Sequence, residues 1–186
     1  MLGYAFCGSF CTFRSSFEVL SRLVALGTEV QPIMSECAYT TDTRFQSAED
    51  FRVKVEELCG RKIIHTVQDA EPLGPKTPLS ALVIAPCTGN TLAKLAQGIT
   101  DTAVTMAAKA HLRADRPLLI ALASNDAMSQ NLANIATMLN RKSVYFVPLL
   151  QDDPKSKPHS LVANMSLIPD ALEKLESGTQ MRPLFL

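Results

Sequence analysis

Ala81-Leu82-Val83-Ile84-Ala85, followed by Pro86-Cys87-Thr88-Gly89-Asn90-Thr91 and then Leu92-Ala93-Lys94-Leu95-Ala96-Gln97-Gly98, is the stretch on which the fold turns. The run Ala81 to Ala85 is short and wholly apolar, as a central parallel strand buried on both faces requires. Pro86 is expected to stop it. The small hydroxyl, amide and glycine residues that follow lead into a helix with Leu92, Leu95 and Ala96 as its apolar positions. A helix start there presents unpaired backbone N–H groups and a positive dipole end, with hydroxyl donors around them. The result is an anion site at the carboxyl edge of a sheet, where open α/β proteins place their ligands.

The same alternation runs outward in both directions. Leu2 to Phe6 is a short apolar run, broken by Cys7-Gly8-Ser9-Phe10-Cys11-Thr12 before a helix with Phe13, Phe17, Leu20, Leu23 and Val24 at helical spacing and Gly27 at its end. Gly8 and Ser9 at that turn serve either close approach to a ligand phosphate or a tight strand-to-helix turn; no G-x-G-x-x-G accompanies them, so a dinucleotide fingerprint is absent. Glu29 to Met34 is a second strand, ending at Ser35. The hydroxyl-rich segment Ala38 to Phe45 after it holds one cation, Arg44, which suits bidentate pairing with a carboxylate or phosphate or simple solvation. Ser47 and Asp50 start a helix that Gly60 stops.

Lys62 to Val67 is expected to be a third strand with His65 packed in or beside it, and Glu71 to Pro78 is too rich in proline for a regular element. Beyond the central stretch, Ile99-Thr100-Asp101-Thr102 begins a helix that Val104, Ala107, Ala108, Ala110 and Leu112 make largely buried, and Pro117 to Ala123 is a fifth strand. Ser124-Asn125-Asp126 makes a polar turn facing the edge of Thr88 and Ser9. A helix from about Ser129 to Asn140 presents Leu132, Ile135, Ala136 and Leu139 on one face. Val144 to Leu150 is a sixth strand interrupted by Pro148, a residue that favours an edge. Asp152 and Asp153 sit in a charged loop, solvated or cation-binding, and a last amphipathic helix spans about Leu161 to Glu176.

A series of β-α units with right-handed crossovers yields a parallel sheet covered on both faces. The expected fold is therefore three-layer α/β/α with about six strands, flavodoxin-like or Rossmann-like, in one domain over residues 1–186. The loops after the first, second, fourth and fifth strands then converge at one edge. Eighteen basic residues balance eighteen acidic ones, so no global field draws nucleic acid or an anionic membrane. The five cysteines (Cys7, Cys11, Cys37, Cys59 and Cys87) lack the paired spacing of a zinc site, and no metal is expected. Without an apolar run of membrane-spanning length or an export signal, the chain is expected in the cytoplasm with free thiols.

At Pro86-Cys-Thr-Gly-Asn-Thr91, Leu92-Ala-Lys-Leu-Ala-Gln-Gly98 and Thr100-Asp101, the sequence resembles the flavoprotein family that includes the flavin-containing cysteine decarboxylases and the flavin prenyltransferases, from Tyr4 through Pro148. The resemblance implies FMN as cofactor. It places Gly8 and Ser9 at the flavin phosphate and ribityl chain and Ser35 at the phosphate. Thr88, Gly89, Asn90 and Thr91 fall in the central FMN motif, Asp101 near the ring, and Ser124 in the same set. It also implies trimers or dodecamers with the flavin at contacts between copies. Thr40 to Phe45, Glu71 to Lys76, Ser124 to Asp126 and Gln151 to Pro154 further resemble a branch found in spore-forming bacteria, in the mother cell. That branch implies one half of a two-component oxidoreductase that aromatises a dihydropyridine dicarboxylate, with NAD(P) on the partner chain and Arg44 and Lys76 gripping the substrate's carboxylates. The decarboxylases' tryptophan-containing substrate motif is missing, as this chain has no tryptophan, and Ala123-Ser124-Asn125 stands where prenyltransferases carry an arginine. A non-catalytic ligand-binding module and a stand-alone decarboxylase or prenyltransferase are the alternative functions.

Overall fold

The computed structural model describes residues 1–74 and 76–186. The first apolar run is β1 (Leu2–Phe6), buried at every position, and a 3-10 turn (Phe10–Thr12) leads from it into α1 (Phe13–Ala25). Then come β2 (Val30–Met34), α2 (Glu36–Thr40), α3 (Ala48–Cys59), α4 (Val67–Ala70) and a second 3-10 turn (Glu71–Leu73). The central stretch is β3 (Leu82–Cys87) and α5 (Gly89–Gln97), followed by α6 (Ala103–Leu112), β4 (Leu118–Ser124) and α7 (Gln130–Leu139). Short strands β5 (Val144–Phe146), β6 (Leu149–Leu150) and β7 (Leu161–Ala163) precede α8 (Ile168–Glu176).

The sheet runs β2-β1-β3-β4, with β5 beside the first half of β4 and β7, then β6, beside its end. The first five strands are parallel, while β7 is antiparallel to both β4 and β6. Every residue of β1, β3 and β4 is buried, so both faces of the sheet are covered, α1 packing with α3 and α8 and α5 packing with α6 and α7. This is the expected flavodoxin-like arrangement. Phe6, Phe13 and Phe51 stack beneath the first loop with ring centroids 4.7 to 5.7 Å apart, tying α1 and α3 to the end of β1.

Four expectations need correction. Lys62 to Val67 is not a strand. Ile64 makes a single bridge to Ile33, and the chain turns away because Thr66 caps α4, accepting from the Asp69 N–H at 3.1 Å. Pro86 does not stop β3. Pairing with β4 shifts register between Ile84 and Cys87, so the missing proline N–H falls where the ladder is already irregular, and the Pro86 carbonyl still accepts from Cys7 N at 3.1 Å. Leu161 to Ala163 is a strand, and helix begins only at Ile168, after Asn164 caps a 3-10 turn and ahead of Pro169 in the first turn of α8. In α7 the buried face is Asn131, Ile135 and Met138, leaving Leu132 49% exposed, because Asn131 is drawn inward by a hydrogen bond described below. Pro75, in the proline-rich segment, lies outside the described residues. No helix among them is long and apolar enough to cross a membrane.

Candidate functional site

The chain passes from β1 outward to β2 and then back across to β3, so the sheet's order reverses between β1 and β3. A cleft opens there at the carboxyl ends of the strands. Its volume is about 700 Å³, within the usual range of small-molecule sites.

The floor is the start of α5. Thr88 caps it in extended conformation: its hydroxyl accepts from Thr91 N at 3.2 Å and donates to Thr91 Oγ1 at 3.1 Å. The N–H groups of Gly89 and Asn90, at the first two helical positions, have no acceptor within the helix and carry its positive dipole end. Gly89 is required by its neighbours: a Cβ there would collide with Ser124 Oγ and stand 2.6 Å from Asn131 Nδ2 and 2.9 Å from Asp126 Oδ1. Those three groups form one network. Asp126 Oδ1 accepts from Ser124 Oγ and, at 2.9 Å, from Asn131 Nδ2, while Asn131 Oδ1 accepts from Asn134 Nδ2 at 2.9 Å. The hydrogen bonds from Ser124 and Asn131 hold the Asp126 carboxyl below the usual carboxylate range.

The loop after β1 supplies the second wall. Ser9 N donates to Cys7 O at 2.7 Å, and Thr12 Oγ1 donates to Ser9 O at 2.8 Å, closing a tight turn over Gly8. A Cβ on Gly8 would stand 2.9 Å from Cys37 Sγ, so glycine lets this loop lie against α2. All five cysteines are free thiols. Burial pushes the Cys7 thiol up to about 11 and raises Cys87 as well, which leaves both unreactive; Cys11 is exposed at the cleft's edge.

The third wall was not legible as such. Asp152, Lys157, Ser160 and Val162 line the cleft because β7 pairs with the end of β4, Ala123 opposite Val162 and Ser124 opposite Leu161. Lys157 Nζ lies 3.0 Å from Asp152 Oδ2. Asp126 lies at the edge where its polar turn is expected, whereas Asn131, which joins it from the start of α7, has no place among the expected residues.

The structure therefore gathers Gly8, Ser9, Thr88, Gly89, Asn90 and Ser124 around one cleft, with buried Thr91 just beneath. Of the other expected residues, Ser35 lies beside the first loop, its N–H donating to Phe6 O at 3.0 Å, without lining the cleft, and the rest stand apart within a single chain. Ser35 caps α2, accepting from Ala38 N at 3.2 Å. Asp101 is exposed, bridged to Lys94 Nζ at 2.8 and 2.9 Å, and faces a separate hollow of about 390 Å³ shared with Tyr39, His65 and Thr102. His65 packs against Tyr39, ring centroids 3.8 Å apart. Arg44 is exposed with its guanidinium 4.9 Å from the Phe45 ring centroid, and Lys76 is exposed in the turn after the second 3-10 segment. Among the described residues no group of three or more His, Cys, Asp or Glu is placed to hold a metal ion.

The architecture has direct counterparts among known proteins. Residues 2–173 match the family described as Flavoprotein. The chain belongs to the flavoprotein family. It is 40% identical over 185 residues to the B subunit of dipicolinate synthase from Bacillus subtilis (strain 168), covering 100% of this chain and 92% of that protein. The crystal structure of the corresponding B subunit from Bacillus halodurans superposes with a TM-score of 0.91 at 39% identity, covering 100% of this chain and 95% of the other. A dodecameric FMN-dependent UbiX-like decarboxylase from Escherichia coli O157:H7 shares the fold at 23% identity, with a TM-score of 0.62 and 80% of each chain covered.

Proposed function

We propose that the chain is the flavoprotein component of a dipicolinate synthase, holding FMN in the cleft and acting with the A subunit of that synthase, which carries NAD(P). The observation that carries this reading is the cleft at the β1/β3 switch point, floored by the free N–H groups of Gly89 and Asn90, in a chain related over its full length to a synthase component. The donor set fits FMN. Two backbone N–H groups at a helix start suit a phosphate, and the hydroxyls of Ser9 and Thr88 suit a polyol. Bound there, FMN supplies a two-electron acceptor or relay.

Conversion of dihydrodipicolinate to dipicolinate removes two electrons and two protons, formally a hydride and a proton, for which a nicotinamide on the companion chain would be the hydride acceptor and solvent the proton acceptor. This chain's residues position and shield: the Ser124–Asp126–Asn131 network fixes one wall against the start of α5, and Asp152, Lys157 and Ser160, between β6 and β7, line another. The exposed Asp101, Arg44 and Lys76 reach a ligand only if a neighbouring copy brings them to its cleft, which accords with a homo-oligomer such as a trimer or dodecamer. The proposed setting is the mother-cell cytoplasm during sporulation.

The test is an absorption spectrum and flavin fluorescence of the purified chain titrated with FMN and with riboflavin. Tight, stoichiometric binding of FMN in preference to riboflavin is expected; absence of binding removes the flavin reading. A second reading, a non-catalytic module that holds a ligand for the companion chain, is favoured by one observation: both carboxylates lining the cleft, Asp126 and Asp152, are already engaged by neighbours and kept ionised. Full turnover by the companion chain without this one would establish it.

A further inference from the structure

Lys157 is the one cation lining the cleft among the described residues. Its position is set by the chain around it. Lys157 N donates to Asp153 O at 2.8 Å, Ser156 N donates to Asp153 Oδ1 at 3.0 Å, and Ser160 N donates to Lys157 O at 3.0 Å, closing the segment into a hydrogen-bonded turn. The ammonium is covered by one of the chain's own carboxylates, Asp152, at 3.0 Å, with 53% of the lysine side chain and 32% of the aspartate side chain exposed. A pair open to water to that degree holds weakly and exchanges readily. Beside it, Ala123 and Val162 face each other across β4 and β7 and line the same wall, giving a small apolar surface next to the charge.

An ammonium matched to a carboxylate, next to an apolar patch and in the same cleft as a helix start suited to phosphate, selects a flat ring that bears a carboxylate. Asp126, the other carboxylate lining the cleft, accepts from Ser124 and Asn131 through Oδ1, and the ion pair that Lys157 makes is with Asp152. We propose that Lys157 grips a ring carboxylate of the substrate, and that Asp152 is its resident competitor, displaced when that carboxylate enters. The inference rests on the dicarboxylate substrate proposed above and assigns the residue that recognises it.

The experiment is calorimetric titration of the FMN-loaded full chain with pyridine-2,6-dicarboxylate and with pyridine-2-carboxylate. The variants are Lys157→Met, Lys157→Arg, Asp152→Asn and, as a control, Lys142→Met, which removes a similarly exposed lysine pairing with Asp115 at 2.8 Å away from the cleft. Losing a charge-assisted contact is expected to weaken the dicarboxylate ten-fold or more in Lys157→Met, with partial recovery in Lys157→Arg. Asp152→Asn is expected to tighten it several-fold, and Lys142→Met to leave it unchanged. Pyridine-2-carboxylate should lose less than the dicarboxylate in Lys157→Met.

Unchanged dicarboxylate affinity in Lys157→Met overturns the inference, as does weakening by Asp152→Asn. Weaker FMN but unchanged riboflavin in Lys157→Met would assign the ammonium to the phosphate and equally overturn it. A wild-type chain that binds FMN but no dicarboxylate sinks this inference and leaves the flavin site standing, whereas a chain that binds neither removes the proposed function too. Thermal unfolding of each variant verifies that the fold is retained.

Discussion

Replacing Gly89 by alanine tests whether the floor of the cleft depends on closing α5 against the loop after β4. Alanine would favour the helix by up to about 1 kcal/mol from propensity alone. Against that, the new methyl would collide with Ser124 Oγ and lie 2.6 Å from Asn131 Nδ2 and 2.9 Å from Asp126 Oδ1. Ordinary contact needs several tenths of an ångström more at each atom, and none of the three can move alone, because Ser124 and Asn131 both donate to the same Asp126 oxygen. Relief requires breaking one bond to an ionised acceptor, about 1.5–3 kcal/mol, together with packing strain of about 1–3 kcal/mol.

The clash therefore wins, and Gly89→Ala should destabilise by about 2–4 kcal/mol, which lowers Tm by roughly 4–15 °C for a chain of this size. FMN affinity should fall with it, since the displaced groups are the helix start and its facing wall. Urea unfolding followed by circular dichroism gives the first quantity and flavin fluorescence quenching the second. The double variant Gly89→Ala/Ser124→Ala should be less destabilised than the sum of the single variants by about 1 kcal/mol, as one clashing atom is gone. A Gly89→Ala chain as stable as wild type, with unchanged FMN binding, would refute the reasoning.

His111 is wholly buried, its Nε2 is 2.8 Å from Pro117 O and its Nδ1 has no partner among the described residues, and burial holds its pKa below the ordinary 6.5. Because the unfolded chain takes the proton first, stability should be full above pH 6.5 and fall as pH drops toward the lowered folded value, by up to about 1.4 kcal/mol per unit; His111→Gln should flatten that slope in pH-dependent urea unfolding. Asp126→Ala removes the shared acceptor and strands the buried Asn131 amide, so a loss of about 1–3 kcal/mol is expected by the same measurement. Thr66→Ala removes the cap that turns the chain after Ile64 and should cost about 1 kcal/mol.

The amino-acid order by itself determined the β-α alternation, the buried central strand and the polar helix start at Thr88–Asn90, because apolar runs and glycine or hydroxyl punctuation are local signals. The Gly8–Ser9, Thr88–Asn90 and Ser124 loops share one edge because parallel strands put every strand-to-helix loop at their carboxyl ends. Tertiary structure decided what depends on pairing partners distant in sequence. Leu161 to Ala163 has a helical-looking context, yet the open edge at the end of β4 draws it into the sheet, and that pairing brings Ser160 and the Asp152–Lys157 pair to the cleft. Ile64 has strand-like neighbours, yet only one residue pairs before Thr66 caps a helix. Asn131 occupies a polar position on α7 and is buried because Asp126 needs a second donor, which turns Leu132 to solvent. An unpaired sheet edge acts across space, and no local pattern in the chain encodes it.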